Sequence, residues 1–180
     1  MKNIIIILIL LVFANKIFSQ RSINYASAIN GASAYASSNY IGYEALKAID
    51  SKYDVGGSED SWLSATPDSP QWIIVEFANP TNINQIICRF SKKNGDDNLY
   101  QTYEIQVFEN NAWITKEYVS PNVEIEHTSI FPLVTTKKIR CYFTKGKKDR
   151  NYSMVTEIEV YNTNVDNNQQ VISDNTAPEI

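Results

Sequence analysis

"QWIIVEFANPTNINQIICRF", Gln71 to Phe90, is the stretch on which the fold turns. Its first part, Gln71–Phe77, is rich in β-formers and ends at "ANP", a turn signal. Its second part, Ile83–Phe90, alternates and sets Ile86, Cys88 and Phe90 on one face. Two apolar runs of strand length with a turn between them argue for a sheet.

The same pattern continues outward. In "TYEIQVF" (Thr102–Phe108), Tyr103, Ile105 and Val107 alternate with Glu104 and Gln106. Glu109-Asn110-Asn111 follows as a tight turn, because Asn tolerates the positive φ that hairpin turns require. "AWITKEY" returns, "VEIEHTSIF" alternates again, and "KIRCYF" points Ile139, Cys141 and Phe143 inward. "VTEIEVYN" closes the set with Val155, Ile158 and Val160. One short helical piece is expected, around Gly42 to Ala48. Seven or eight short strands separated by turns predict an all-β, antiparallel sandwich or jelly roll.

The ends read differently. Lys2 followed by an apolar run from Ile4 to Ala14 and small Ser19 has the form of an export signal, expected over residues 1–19. That run falls short of the ~20 apolar residues that cross a bilayer. The folded domain is expected over residues 20–162, and the Asn-, Gln- and Asp-rich stretch 163–180 as a flexible polar tail. The expected localisation is secreted or extracellular. Without Lys2 and Lys16 the 16 basic residues fall to 14, and 14 − 20 gives a net charge of −6. That balance argues against nucleic acid as a partner. Eleven Tyr, seven Phe and three Trp suit half-buried sheets and sugar-facing or protein-facing surfaces. Cys88 and Cys141 lie within apolar strand patterns, so either a disulfide or two buried thiols fits them. Trp62 and Trp72 are expected in the core.

No catalytic constellation is present. His127 is the only histidine and is expected exposed on an edge strand. There is no G-x-S-x-G, no zinc-type Cys/His spacing and no phosphate loop. The expected role is binding rather than catalysis. "ALKAIDSKYDVGGSEDSWLS" (Ala45–Ser64) gathers Asp50, Asp54, Glu59 and Asp60 in one loop. Either that loop is solvated or a cation sits in it, since close carboxylates repel. Gly56 and Gly57 would let the backbone curl round an ion.

The order of "SINYASAINGASAYASSNY", "ALKAID" with a later Trp, "PQWIIVEFANPTNINQI", "YEIQV…NNAW" and "KKIRCYF…VTEIEVYN" resembles the coagulation factor V/VIII C-type, or discoidin, family. That family overlaps with the galactose-binding-like carbohydrate-binding modules. The resemblance runs over about Ile23 to Asn162 and implies an eight-stranded antiparallel β-sandwich of jelly-roll type. It also implies a structural Ca²⁺ as cofactor, held by the Lys47 carbonyl, Asp50, a loop oxygen of Asp54 or Asp60, the Thr156 carbonyl and Glu157. Ca²⁺ takes six to eight hard oxygens at ~2.3–2.6 Å, which this donor set suits. Relatives carry Gly after the Asp, where this chain has Ser51.

Recognition in such sandwiches lies on loops at one end. "AYASSNYIGY" offers Tyr40 and Tyr43, "SKKNGDDNLY" offers Lys92, Asn98 and Tyr100, and "TKGKKDRNYS" offers Lys147, Lys148, Arg150 and Tyr152. By resemblance, Lys92, Asn98 and Tyr152 stand nearest the sugar-contacting positions, and Tyr40 of the first loop is the further ligand-binding candidate. A glycan is the expected partner: an aromatic face stacks on a sugar's apolar face, and amide and charged groups bond its hydroxyls. The other expectations are a cell-surface protein or an anionic lipid headgroup. For the lipid, Ile41, Leu99 and Met154 would be apolar tips beside the "KGKKDR" charges. Asn151-Tyr152-Ser153 is a glycosylation sequon in the third loop.

Overall fold

The computed structural model describes residues 23–53, 60–91, 99–148 and 150–163. Eight strands run through them: β1 (Ser33–Ala36), β2 (Trp62–Leu63), β3 (Gln71–Arg89), β4 (Thr102–Glu109), β5 (Ala112–Val119), β6 (Glu126–Lys145), β7 (Met154–Val155) and β8 (Glu157–Tyr161). All pairings are antiparallel: β1-β3-β6-β4-β5 in order, with β8 also on β3, and β2 with β7 as a separate ribbon. The jelly-roll β-sandwich expected from the pattern is the fold. The helical piece is a 3-10 turn, Ala45–Ile49, and a second lies at Ala28–Asn30.

The "ANP" turn is a correction. It does not end a strand: β3 continues through it as one element of 19 residues. Ala78, Asn79 and Pro80 are exposed there, and the register with β6 slips between Glu76 and Thr81. Pro lacks the N–H a ladder needs, so the strand bends where that bond is absent. A second slip between Ile83 and Gln85 changes the alternation, and so Ile86 and Cys88 face inward as Ile73, Val75 and Phe77 do. β6 spans the same bend opposite β3. The first half of β3 with β1, β4, β5 and the end of β6 makes one layer. The second half with β8 and the start of β6 makes the other.

Between the layers lies one core. Trp62, Phe143, Tyr103 and Phe90 form a chain of rings, with centroids 5.8 Å (Trp62–Phe143), 5.2 Å (Tyr103–Phe143) and 5.7 Å (Phe90–Tyr103) apart. Ile139, Cys141, Val155, Ile158 and Val160 join it, as the alternation predicts. The hairpin turn is also as expected: Asn110 and Asn111 hold φ 50° and 61°, between the last pair Glu109 and Ala112.

Two aromatic expectations change. Trp62 is buried, but Trp72 is half-buried and faces outward opposite Tyr142, outside the core. On that outer face Arg140 lies over Trp113 at 4.4 Å and Tyr142 at 4.9 Å and donates to Gln106 Oε1 at 2.7 Å. His127 does sit where β6 has only β3 beside it, but it is tucked in rather than exposed. Its Nε2 is 3.1 Å from Glu117, and its ring meets the Tyr103 ring edge-on.

The two ends of the folded part are tied together. Tyr25 N–H donates to the Val160 carbonyl at 2.9 Å, and Asn24 Oδ1 accepts from Val160 N–H at 2.9 Å and Ala26 N–H at 3.0 Å.

Candidate functional site

The first site residue stands in a tight reversal. Tyr40 N–H donates to the Leu63 carbonyl at 2.8 Å, and Tyr43 N–H donates back to the Tyr40 carbonyl at 2.9 Å. Gly42, at φ 83°, makes the corner, a conformation that costs glycine no Cβ clash. Asn39 Oδ1 accepts from Ala45 N–H at 3.0 Å and fixes the start of the 3-10 turn. Trp62 Nε1 donates to the Ser38 carbonyl at 2.9 Å, so a buried ring anchors the approach to Tyr40. Tyr40 itself is 47% exposed.

Tyr152 comes from the far end of the chain and meets it. The Tyr40 and Tyr152 rings pack edge to face, centroids 6.5 Å apart, and Tyr43 packs on Tyr40 at 5.9 Å. Lys47 Nζ lies 5.7 Å from the Tyr43 ring, and Lys148 Nζ lies 5.2 Å from the Tyr100 ring. Tyr40, Tyr43 and Tyr152, with Lys47 over Tyr43, thus come together from remote parts of the chain, and Lys148 covers Tyr100. Lys92 and Asn98 lie outside the described residues.

The Tyr152 loop is held by Asn151, whose part in it the sequence did not disclose. Asn151 Nδ2 donates to the Pro67 carbonyl at 2.6 Å, and its Oδ1 accepts from Gly146 N–H at 2.9 Å. Lys147 N–H donates to the Tyr152 carbonyl at 2.8 Å, and Asn151 N–H to the Lys147 carbonyl at 2.9 Å. Gly146 is packed so closely that a Cβ there would stand 2.0 Å from the Asn151 carbonyl oxygen. The only local signal was the sequon, which reads Asn151 as a surface attachment point.

Leu99 and Met154 do not form tips. Both are buried, which leaves Ile41, 92% exposed, as the one apolar side chain of the expected three that reaches solvent.

The acidic loop builds a second centre. The 3-10 turn carries Lys47 and ends at Asp50. Ser51 follows at φ 63°, left-handed backbone that a glycine would enter more easily. Ser51 Oγ is 3.0 Å from Ser27 Oγ, and its N–H donates to Glu157 Oε1 at 3.3 Å. Glu157, at the start of β8, is 1% exposed, and its Oε2 has no hydrogen-bond partner. Burial, then the nearby Asp50 charge, push its carboxyl up to about 8, against the opposing Ser51 N–H and Arg89. Asp50 Oδ1 accepts from Lys52 N–H at 2.9 Å. Thr156 is fully buried, its Oγ1 bonded to Ser61 Oγ at 3.3 Å. Asp60 is half-buried beside Ser61, and Asp54 lies outside the described residues. Among the described residues no three His, Cys, Asp or Glu gather to hold a metal. A cation there would need carbonyl oxygens besides the two carboxylates. A buried carboxylate with an undonated oxygen, beside a second carboxylate, is a donor set that Ca²⁺ fits.

A layered jelly roll carrying its polar and aromatic groups on end loops is the scaffold of a binding domain. The F5/8 type C domain model matches residues 33–158, and the chain belongs to that family. No curated protein matches it. Among solved structures it resembles chitosan-binding module 1 of the chitosanase/glucanase from Paenibacillus sp. IK-5, at 27% identity and TM-score 0.62, over 78% of this chain and 99% of that one. It shares its fold with CpGH89CBM32-5 of Clostridium perfringens, solved with GalNAc-β-1,3-galactose, at 17% identity and TM-score 0.64, over 78% of this chain and 100% of that one. The family 32 module of C. perfringens NanJ, solved with galactose, is similar at 19% identity and TM-score 0.63, with 78% and 100% covered.

Proposed function

We propose that this chain is a non-catalytic carbohydrate-binding module that takes a glycan at the Tyr40–Tyr152 end and holds a structural Ca²⁺ between Asp50 and Glu157. The observation that carries the sugar reading is the meeting of Tyr40 and Tyr152. Two aromatic side chains from remote loops meet, Tyr40 among the exposed ones, and Lys148 of the Tyr152 loop stands over Tyr100. Aromatic faces with a few polar groups are what sugar recognition uses. The relatives' ligands, chitosan, galactose and GalNAc-β-1,3-galactose, support the class. The undonated Glu157 oxygen supports the ion. The leader-like first residues support a secreted, extracellular setting for such a module.

Glycan-array binding followed by calorimetry tests the sugar reading. Tyr152→Ala should cost at least tenfold in affinity and leave the melting temperature unchanged, because the ring is not part of the core. Affinity should fall little with salt, as a neutral sugar releases few counterions. A lipid headgroup is the second reading, favoured by exposed Ile41 in the loop of Tyr40 and by Lys147, Lys148 and Arg150 in the loop of Tyr152, two loops that meet through those rings. It demands anionic vesicles and steep loss with salt. Vesicle binding with no glycan binding would reject the sugar. Binding to neither would leave a cell-surface protein.

A further inference from the structure

The chain has two cysteines, Cys88 and Cys141, and the fold brings them together. Cys88 belongs to the second half of β3, opposite His127 of β6 and Ile158 of β8. Cys141 belongs to the other layer, between Ile73 of β3 and Ile105 of β4. The two side chains cross the core and their sulfurs lie 3.6 Å apart, at 1% and 0% exposure. Both are free thiols in the structure. Sulfurs in van der Waals contact need to approach only to about 2.05 Å to bond.

We propose that Cys88 and Cys141 form a disulfide that staples the two layers when the chain folds in an oxidising compartment. The oxidant is a disulfide, carried by a small thiol or by a thiol oxidoreductase. One cysteine thiolate attacks it, forms a mixed disulfide and expels a thiolate. The second cysteine thiolate then attacks the protein-side sulfur of that mixed disulfide and expels the other thiolate. Two electrons pass to the oxidant, and the two cysteine protons end on its two released thiols.

The order of events follows from burial. In the folded chain no oxidant reaches either sulfur, and the Cys141 contact and burial hold the Cys88 thiol well above its ordinary value. Exchange therefore happens while the chain still opens, and packing of the core selects the native pair. Once closed, the bond is sealed from reductants by the same burial.

The test refolds the reduced full chain in glutathione mixtures and counts thiols by alkylation in denaturant and mass. The proposal expects no alkylatable thiol and a monomer about 2 Da lighter than the reduced chain. It expects the bond to survive reductant in native buffer and to open when denaturant is added. It also expects the oxidised chain to melt several degrees above the reduced one, while Cys88→Ala/Cys141→Ala melts identically in both conditions. Two alkylatable thiols after oxidative refolding would overturn it. So would a bond found only between chains, or an oxidised monomer that no longer melts cooperatively.

Discussion

Glu157 carries a cost that an ion would remove. Its carboxyl sits at about 8 in the folded chain, against an ordinary carboxylate value near 4.5. The folded state therefore holds this proton more tightly than the unfolded state. Stability from the group is fully present below about 4.5 and is lost as pH rises through about 8. A bound Ca²⁺ favours the charged form and cancels that loss. In chelator, wild type should lose melting temperature relative to Glu157→Gln as pH rises from 5 to 8. At pH 8, millimolar Ca²⁺ should raise the wild type and leave the variant unmoved. A site occupied at a hundredfold over its Kd adds ~2.7 kcal/mol. Identical curves in Ca²⁺ and chelator would remove the ion from this chain. Glu76 acts in a separate window. Hydrogen bonds from Lys137, Tyr35 and Lys138 lower it to about 2, so its contribution is present above about 4.5 and fades as pH falls through 2.

At the scale of the element, the loop from Lys145 to Ser153 decides where Tyr152 stands. Gly146 lies against the Asn151 backbone, and Asn151 ties the loop to Pro67. Gly146→Ala forces that backbone apart, and overpacking of this kind costs about 1–3 kcal/mol. Glycan affinity should fall by tenfold or more although residue 146 points no side chain at the ligand. Asn151→Ala should act the same way, through lost positioning. Unchanged affinity in both variants would show that the loop geometry does not matter to binding. This is also where reading from sequence stopped. Alternation exposed the inward faces of β4, β6 and β8, and Asn110-Asn111 gave the hairpin, because those are local patterns. Pro80 breaks a ladder locally and so signals a turn, while the continuation of β3 through the bend depends on pairing with β6. Tyr40 and Tyr152 could each be named from loop chemistry, but their contact depends on the whole topology. Trp72 falls outside the core for the same reason: its face is set by register, not by its own type.

Across the whole molecule, β3 and β6 each serve both layers, so the layers share strands as well as a core. Their joint bend makes one cooperative body of the described residues. The pairing of Asn24 and Tyr25 with Val160 adds a property of another kind. The polypeptide enters and leaves the domain at one point, so its order of synthesis is a detail that the fold does not need. A circular permutant is the demonstration. Thr163 would be joined to Ile23 through a short Gly/Ser linker, and the chain reopened between Asn110 and Asn111, in the exposed hairpin tip. It should melt cooperatively within a few degrees of the native chain and keep its glycan affinity. A non-cooperative melt would show that the β4–β5 hairpin must stay covalently closed. A domain whose ends meet in this way can be set into a surface loop of another protein like a bead on a closed clasp, displacing its host's two flanking residues hardly at all.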